Sequence, residues 1–264
     1  MKQFSTLQLS VSPPFAYLTL NRPEQRNAIS FQMMGELLNA VMQINALPAE
    51  IRAVVISGAG GNFSAGADIN DLQASANLSP EEQDAPLTLY DQALSLLNQS
   101  PKVIIAKVEG VALGGGFGLV CVADIAIAST TATFGLPEVR IGLVPAMIAP
   151  YVIQRIGITR ARLLMLTGTR FDGVSAHEYG LVHEVCPEEI LDECVKTILD
   201  QIRQCSPIAL AACKQLIHTV ASQSLEDSRS YRARLLNNLI QSEEGQEGLS
   251  ALRQQRSPTW ANGL

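Results

Sequence analysis

Three short runs of β-branched and small apolar residues constrain the fold most. They are AVVISGAG at residues 53 to 60, VIIAKVEG at 103 to 110 and DIAIAS at 124 to 129. Each run is nearly continuously apolar, as strands buried on both faces of a sheet are, and each follows a predicted helix or a glycine-rich turn. Strands that alternate with helices predict an α/β fold rather than a β-sandwich.

The segments around these strands predict the rest of the chain. LQLSV and FAYLTL predict a hairpin with a turn at Pro13-Pro14, and the apolar spacing after Ser30 predicts a helix with a serine cap. Residues 71 to 86 are polar and aperiodic, so we expect a mobile loop or lid there. From about Ser175 onward the pattern is almost wholly helical. We place a division near residue 195, between an α/β core (1–195) and a C-terminal helical region (196–264).

Charge and hydropathy exclude several classes of partner. The 264 residues carry 19 Lys and Arg against 25 Asp and Glu, a net charge of -6, so no basic field attracts nucleic acid, RNA included. The longest apolar run is interrupted by Lys107, Glu109 and Asp124, which a bilayer-spanning helix tolerates poorly. The first residues show no targeting pattern. We therefore expect a cytoplasmic protein without a membrane or nucleic-acid partner.

Two glycine-rich segments are candidates for binding developing negative charge. GNFSAGADI (61 to 69) and GVALGGGFGLVC (110 to 121) each follow a predicted buried strand. Glycines between a strand and a helix allow a tight turn that points unpaired N–H groups into a cleft. Either segment alone is explained as well by turns and close packing. Two segments in the same context favour an oxyanion hole.

Other catalytic patterns are absent from the sequence. GGG is not followed by Lys-Ser/Thr, so there is no P-loop, and GAGGNF lacks the later features of a dinucleotide site. Neither Ser64 nor Ser129 lies in a G-x-S-x-G turn. The five cysteines have no CxxC spacing, and the three histidines form no ligand pattern, so we expect neither disulfides nor a metal site.

Six blocks together resemble the enoyl-CoA hydratase/isomerase (crotonase) superfamily. The likeness covers nearly the whole chain and also includes the closing RSPTWA. The blocks are LNRPEQRNAI (20–29), FSAGADI (63–69), ALGGGFGL (112–119), ADIAIAS (123–129), FGLPEVRIGLVP (134–145) and LTGTRFDGVSAHEYGLVHEV (166–185). The resemblance implies a spiral of ββα turns, a helical trimerisation region, and trimers that often pair into hexamers.

The resemblance also implies roles for particular residues. The backbone N–H groups of Ala67 and Gly115 would hold the oxygen of an acyl-CoA thioester, Arg26 would meet a CoA phosphate, and the Ala65 backbone would bind the adenine. The substrate-binding residues that it implies are Arg26, Ala28, Ala65, Asp68, Gly114 and Gly118. No cofactor is implied, because coenzyme A is part of the substrate.

The second carboxylate typical of the family's hydratases is missing. The positions of the family's two glutamates correspond to Gly118 and Glu138 in this sequence. Glu138 is therefore left as the sole candidate for the general acid and base. Its apolar neighbours Phe134, Leu136 and Val139 should raise its pKa by desolvation. The alternative is that Glu138 only caps a helix or forms a salt bridge.

A glycine at position 118 removes bulk and negative charge beside the acyl chain. The stretches around Gly118 and Glu138 resemble bacterial hydratases of branched glutaconyl-CoA thioesters, in acyclic terpene or leucine catabolism. Arg140 and Arg155 are candidate partners for a distal carboxylate, or else surface and interface residues. An isomerase with one glutamate, and a catalytically silent CoA-binding protein, remain as alternatives.

Overall fold

The computed structural model describes residues 4–261. Within this range the chain forms nine strands and ten helices, and short 3-10 turns connect several of them. The strands are β1 (Leu7–Ser12), β2 (Phe15–Leu20), β3 (Ala53–Gly58), β4 (Val103–Val108), β5 (Val111–Leu113), β6 (Ile125–Ser129), β7 (Thr133–Gly135), β8 (Arg170–Asp172) and β9 (Glu184–Cys186). The helices are α1 (Phe31–Asn45), α2 (Ile69–Ser75), α3 (Pro80–Asn98), α4 (Gly115–Val122), α5 (Ala149–Thr167), α6 (Gly173–Glu178), α7 (Leu191–Arg203), α8 (Pro207–Ser222), α9 (Arg229–Gln241) and α10 (Glu243–Arg253).

Two sheets organise these elements. The larger sheet has the order β1-β2-β3-β4-β6-β9, in which the β1–β2 hairpin is antiparallel and every later pairing is parallel. The smaller sheet has the order β5-β7-β8, with β5 parallel and β8 antiparallel to β7. The predicted hairpin, the predicted buried strands and the α/β class are confirmed.

The central strands β3, β4 and β6 are buried on both faces of the sheet for most of their length, which explains why their sequences are nearly continuously apolar. Along β3, Val54 and Ile56 face a core shared with α1 and α3, whereas Ala53 and Val55 face a second core. The second core is closed by α7, whose buried side chains include Leu199. Helix α1 begins as predicted, because the Ser30 side chain accepts a hydrogen bond from Met33 N–H.

The expectation of a mobile loop over residues 71 to 86 is wrong. Residues 69–75 form α2, and most of the remainder belongs to the first turns of α3. Ser79 and Glu82 form a reciprocal capping box, and Pro80 occupies the first turn, where it needs no N–H partner. The segment looked irregular because these turns are exposed and polar, whereas the later turns of α3 carry the apolar face that packs on α1.

The C-terminal third is helical with one exception. Strand β9 interrupts the predicted helical region and adds the sixth strand to the larger sheet. Residue 195 lies inside α7, which packs on that sheet, and the division near this residue stays a prediction. Within residues 4–261 no helix combines the length and the apolar character that crossing a bilayer requires.

Candidate active site

Two loops that carry the candidate oxyanion groups lie side by side. Ser64 N–H donates to Val111 C=O at 2.8 Å, and Leu113 N–H donates to Ser64 C=O at 2.9 Å. A Cβ at Gly66 would lie 2.8 Å from the Leu113 carbonyl oxygen, and Gly66 has a φ of 91°, so only glycine permits this approach. The two glycine-rich segments therefore form one structure rather than two separate turns.

Ala67 and Gly115 both line the same pocket. The neighbours of Ala67 are fixed, because Ile29 N–H donates to Gly66 C=O and Asp68 N–H donates to Ile29 C=O. Gly115 is the first residue of α4, where an N–H has no partner within the helix. No hydrogen bond among residues 4–261 uses the Ala67 N–H. Both amides are free to donate to a ligand.

Gly114 is needed for the approach of Glu138. Its φ is 49°, and its N–H donates to Gly135 C=O at 3.0 Å. A Cβ at Gly114 would lie 2.8 Å from Glu138 Oε1. The carboxylate thus packs directly against the residue that precedes Gly115, at the start of α4.

Glu138 lies in the pocket, on the 3-10 turn Pro137–Ile141. Burial raises the pKa of its carboxyl, in the direction that its apolar neighbours predicted. Its Oε2 is buried and has no hydrogen-bond partner among the described residues. A buried oxygen without a partner is costly in a folded protein, and this carboxyl forms neither the helix cap nor the salt bridge of the alternative interpretation.

The pocket has a volume of about 130 Å³. Apart from Glu138 and Tyr90, its lining side chains are apolar, and they include Met34, Leu72 and Leu87. Leu72 comes from α2, within the segment 71 to 86 that was predicted as a loop or lid, and Leu87 follows that segment on α3. These two helices form one wall of the pocket. An apolar cavity with few polar groups is typical of a small-molecule site.

Sequence reasoning missed Tyr90 and Ile148. The Tyr90 hydroxyl donates to Gly115 C=O at 2.6 Å, and burial raises the pKa of this phenol, which keeps the proton on its oxygen. Ile148 is 2% exposed and lines the pocket. Both residues reach the site through contacts between distant parts of the chain. No local pattern in the sequence predicts such contacts.

Gly118 does not line the pocket. A Cβ at this position would lie 2.1 Å from Ile148 Cγ2, so the Ile148 side chain already occupies the space that faces it. The structure therefore places Ile148, rather than Gly118, on the wall of the pocket, and contact of Gly118 with a substrate stays a prediction. The role of Gly118 is to leave room for Ile148.

Three residues expected to bind coenzyme A lie next to one another. Arg26 is exposed and has a φ of 48°, and its C=O accepts a hydrogen bond from Ala65 N–H at 2.8 Å. Ala28 lies beside Ile29, which lines the pocket, and its C=O accepts a hydrogen bond from the Arg22 guanidinium. Their contacts with coenzyme A stay a prediction.

Asp68 has a structural role. Its carboxylate caps α2 by accepting from Asn70 N–H and forms a 2.8 Å ion pair with Arg22. Burial opposes the charged form, but these hydrogen bonds outweigh it and lower the pKa of Asp68. It is not among the described residues that line the pocket.

Neither candidate arginine reaches the pocket. Arg140 Nε donates to Thr167 C=O, and Arg155 donates to the Leu181 and Ala123 carbonyls. Both guanidinium groups therefore bind main-chain oxygens within the described part of the chain. Residues 4–261 also contain no cluster of three or more His, Cys, Asp or Glu side chains that could hold a metal ion.

Comparisons with known proteins agree with this geometry. The family model described as enoyl-CoA hydratase/isomerase matches residues 12–263. A probable mitochondrial enoyl-CoA hydratase of Dictyostelium discoideum is 31% identical over 263 residues, which cover 99% of this chain and 92% of that protein. The 2,3-dehydroadipyl-CoA hydratase of Escherichia coli is 33% identical over 245 residues, which cover 91% of this chain and 92% of that protein.

Solved structures confirm the fold. The structure of Pseudomonas aeruginosa AtuE matches with a TM-score of 0.95 and 40% identity, and the match covers 98% of this chain and 100% of that one. The expected crotonase fold, with its C-terminal helices, is therefore correct. The chain belongs to the enoyl-CoA hydratase/isomerase (crotonase) family.

Proposed function

We propose that this protein adds water across the double bond of a branched glutaconyl-CoA thioester, either isohexenylglutaconyl-CoA or 3-methylglutaconyl-CoA, in acyclic terpene or leucine catabolism. The enzyme class is hydro-lyase, of the enoyl-CoA hydratase type. The observation that carries the proposal is one buried carboxylate, Glu138, in an apolar pocket that also holds two free main-chain amides, those of Ala67 and Gly115.

The geometry supports conjugate addition of water. The amides of Ala67 and Gly115 donate to the thioester oxygen and stabilise the enolate that forms when water attacks the β-carbon. Glu138 accepts the proton of the attacking water and then delivers a proton to the α-carbon. Burial raises the pKa of Glu138 toward neutral pH. A group whose pKa lies near the working pH can both accept and donate a proton, so the raised pKa suits both steps. The coenzyme A of the substrate is the sole cofactor in this scheme.

The composition of the pocket supports a branched acyl chain. Its apolar walls suit the hydrocarbon branch. No Lys or Arg is among the described lining residues, so we infer that a distal carboxylate stays at the solvent-exposed mouth. The relative from Escherichia coli is named for a dehydroadipyl thioester, which also carries a second carboxylate.

One rival keeps the same site. A single carboxylate that moves a proton between two carbons suffices for an enoyl-CoA isomerase, and the lone Glu138 is compatible with that reaction. Incubation with both glutaconyl thioesters and with a 3-enoyl-CoA, followed by mass spectrometry, separates the two. The proposal expects a glutaconyl thioester to gain the mass of one water. Double-bond migration without a mass gain supports the isomerase, and CoA binding without any turnover supports a silent binding protein.

We also propose a homotrimer or a hexamer of paired trimers. Apolar side chains on one helix, α5, are exposed in the single chain, among them Ile158 (57%) and Leu166 (69%). Large exposed apolar patches are typical of subunit interfaces. A molar mass of one chain by light scattering would contradict this assembly.

A further inference from the structure

Ile148 takes the volume that a side chain at position 118 would otherwise fill. Helix α4 places Gly115 and Gly118 about one turn apart. An ideal Cβ at Gly118 would lie 2.1 Å from Ile148 Cγ2 and 2.9 Å from Ile148 Cβ. This side of the pocket is therefore formed by a residue that lies 30 positions later in the chain.

The Ile148 side chain packs on α4 about one helical turn from Gly115, on the wall of the same pocket. Gly118 lies three residues from Gly115, which is a rise of about 4.5 Å along the helix. The substituent on the β-carbon is three bonds of about 1.5 Å from the carbonyl carbon that Gly115 N–H would polarise. Because Gly115 and Ile148 line the same small pocket, a substituent so close to the carbonyl carbon comes within reach of the wall that Ile148 forms.

The Ile148 side chain is held firmly. It is 2% exposed, and it is the residue that precedes the first turn of α5. Its branched Cβ restricts the side chain to few rotamers. On the other side it is packed against the backbone of α4 at Gly118, which leaves it no room to retract.

We propose that Ile148 is a specificity-determining residue that limits the size of the β-substituent. The inference rests on the proposed function for its substrate class. The two candidate substrates suit a test because they carry the same glutaconyl thioester and differ at the β-carbon, where one has a methyl group and the other an isohexenyl chain.

The test compares Ile148→Ala with a matched control, Ile156→Ala. Ile156 is also a buried isoleucine of the α5 region, at 6% exposure, but it is not among the lining residues. We expect Ile148→Ala to raise the ratio of kcat/KM for the isohexenyl thioester to kcat/KM for the methyl thioester by about tenfold. The control should leave this ratio at the wild-type value.

A change of ratio in Ile148→Ala no larger than in Ile156→Ala would overturn the proposal. If Ile148→Ala does not fold, Ile148→Val is read by the same criterion. If the wild type turns over neither thioester, the proposed function fails. The role of Ile148 is then tested separately, by the ratio of the dissociation constants of the isohexenyl and the methyl thioester. A larger shift of that ratio in the Ile148 variant than in the control supports it, and an equal shift contradicts it.

Discussion

At the scale of single residues, the burial of Glu138 makes the stability of the fold depend on pH. Because burial raises the pKa of this carboxyl above its ordinary 4.5, the folded chain binds its proton more tightly than the unfolded chain does. The resulting stability is fully present below the unfolded pKa and is lost as the pH rises through the folded pKa. Above the folded pKa of Glu138, the site therefore keeps a buried charge at a cost in stability.

We predict that Glu138→Gln is more stable than the wild type at pH 8, by about 1 kcal/mol, because it removes an unpaired buried charge. The two proteins should converge near pH 4, where the wild-type carboxyl is protonated. Urea unfolding at both pH values measures the difference. The exposed Glu226→Gln serves as the control and should show neither effect. A Glu138→Gln variant that is less stable at pH 8 would contradict the burial argument.

The contact between Gly118 and Ile148 predicts a coupled pair of substitutions. Gly118→Ala should destabilise the fold by about 1 to 3 kcal/mol, because its methyl group overlaps Ile148 Cγ2. Ile148→Ala removes that atom, so the double variant should lose less stability than the sum of the single variants. Thermal unfolding of the four proteins measures the coupling. Gly35→Ala, whose methyl group would have an ordinary 3.6 Å contact, is the control. Strict additivity would contradict the contact.

The same residues show how far the sequence reaches. The two glycine-rich segments predicted an oxyanion hole, and the resemblance to the family singled out Ala67, Gly115 and Glu138 within the quoted blocks. The structure brings all three residues to one pocket. The sequence shows that Gly118 stands where the family's hydratases typically have a glutamate. It does not show that Ile148 packs against this glycine. Ile148 reaches it by a tertiary contact over 30 residues, for which a single sequence gives no signal.

At the scale of elements, α3 both lines the pocket and contacts Gly115, one of the two proposed oxyanion-binding residues. Tyr90, near the middle of this helix, donates to Gly115 C=O and so fixes the first turn of α4. The polar residues at the start of α3 resemble a loop in the sequence. A helix-start signal, the capping box of Ser79 with Glu82 three residues later, is nevertheless present there. Apolar periodicity alone underestimates the length of helices whose first turns are exposed to solvent.

We predict that Tyr90→Phe lowers kcat by about fivefold, because losing one hydrogen bond of about 1 kcal/mol loosens the Gly115 amide. The acid limb of the pH profile should persist, since Glu138 is intact. Steady-state kinetics across pH check both statements. Tyr17→Phe, on β2 and away from this pocket, should leave kcat unchanged. A Tyr90→Phe enzyme with wild-type kcat would show that the bond does not position the amide.

At the scale of the whole molecule, a buried lysine ties the C-terminal helices to the core. Lys214 on α8 donates to Asp124 Oδ2 at 2.7 Å and to the Leu97 and Lys102 carbonyls. Asp124 in turn accepts from Ile104 N–H on β4. The amphipathic pattern of α8 predicted a packed helix, but not which polar group would anchor it.

We predict that Lys214→Met destabilises the protein by about 3 kcal/mol, because it leaves the partly buried Asp124 carboxylate without its cation. Chemical unfolding measures the loss. Lys196→Met, which removes an exposed ion pair with Asp200, is the control and should cost less than about 1 kcal/mol. Equal effects of the two substitutions would show that Lys214 does not anchor α8.

The central claim is that one carboxyl, Glu138, carries out all proton transfer while two main-chain amides hold the thioester oxygen. Its most direct test is the pH dependence of kcat/KM for hydration in the wild type and in Glu138→Gln, with the thioester affinity of both. The claim predicts an acid limb above the ordinary carboxyl pKa in the wild type, and at least about a hundredfold loss of rate without that limb in the variant, at similar affinity. A variant that hydrates its substrate at the wild-type rate, with the same acid limb, would contradict it.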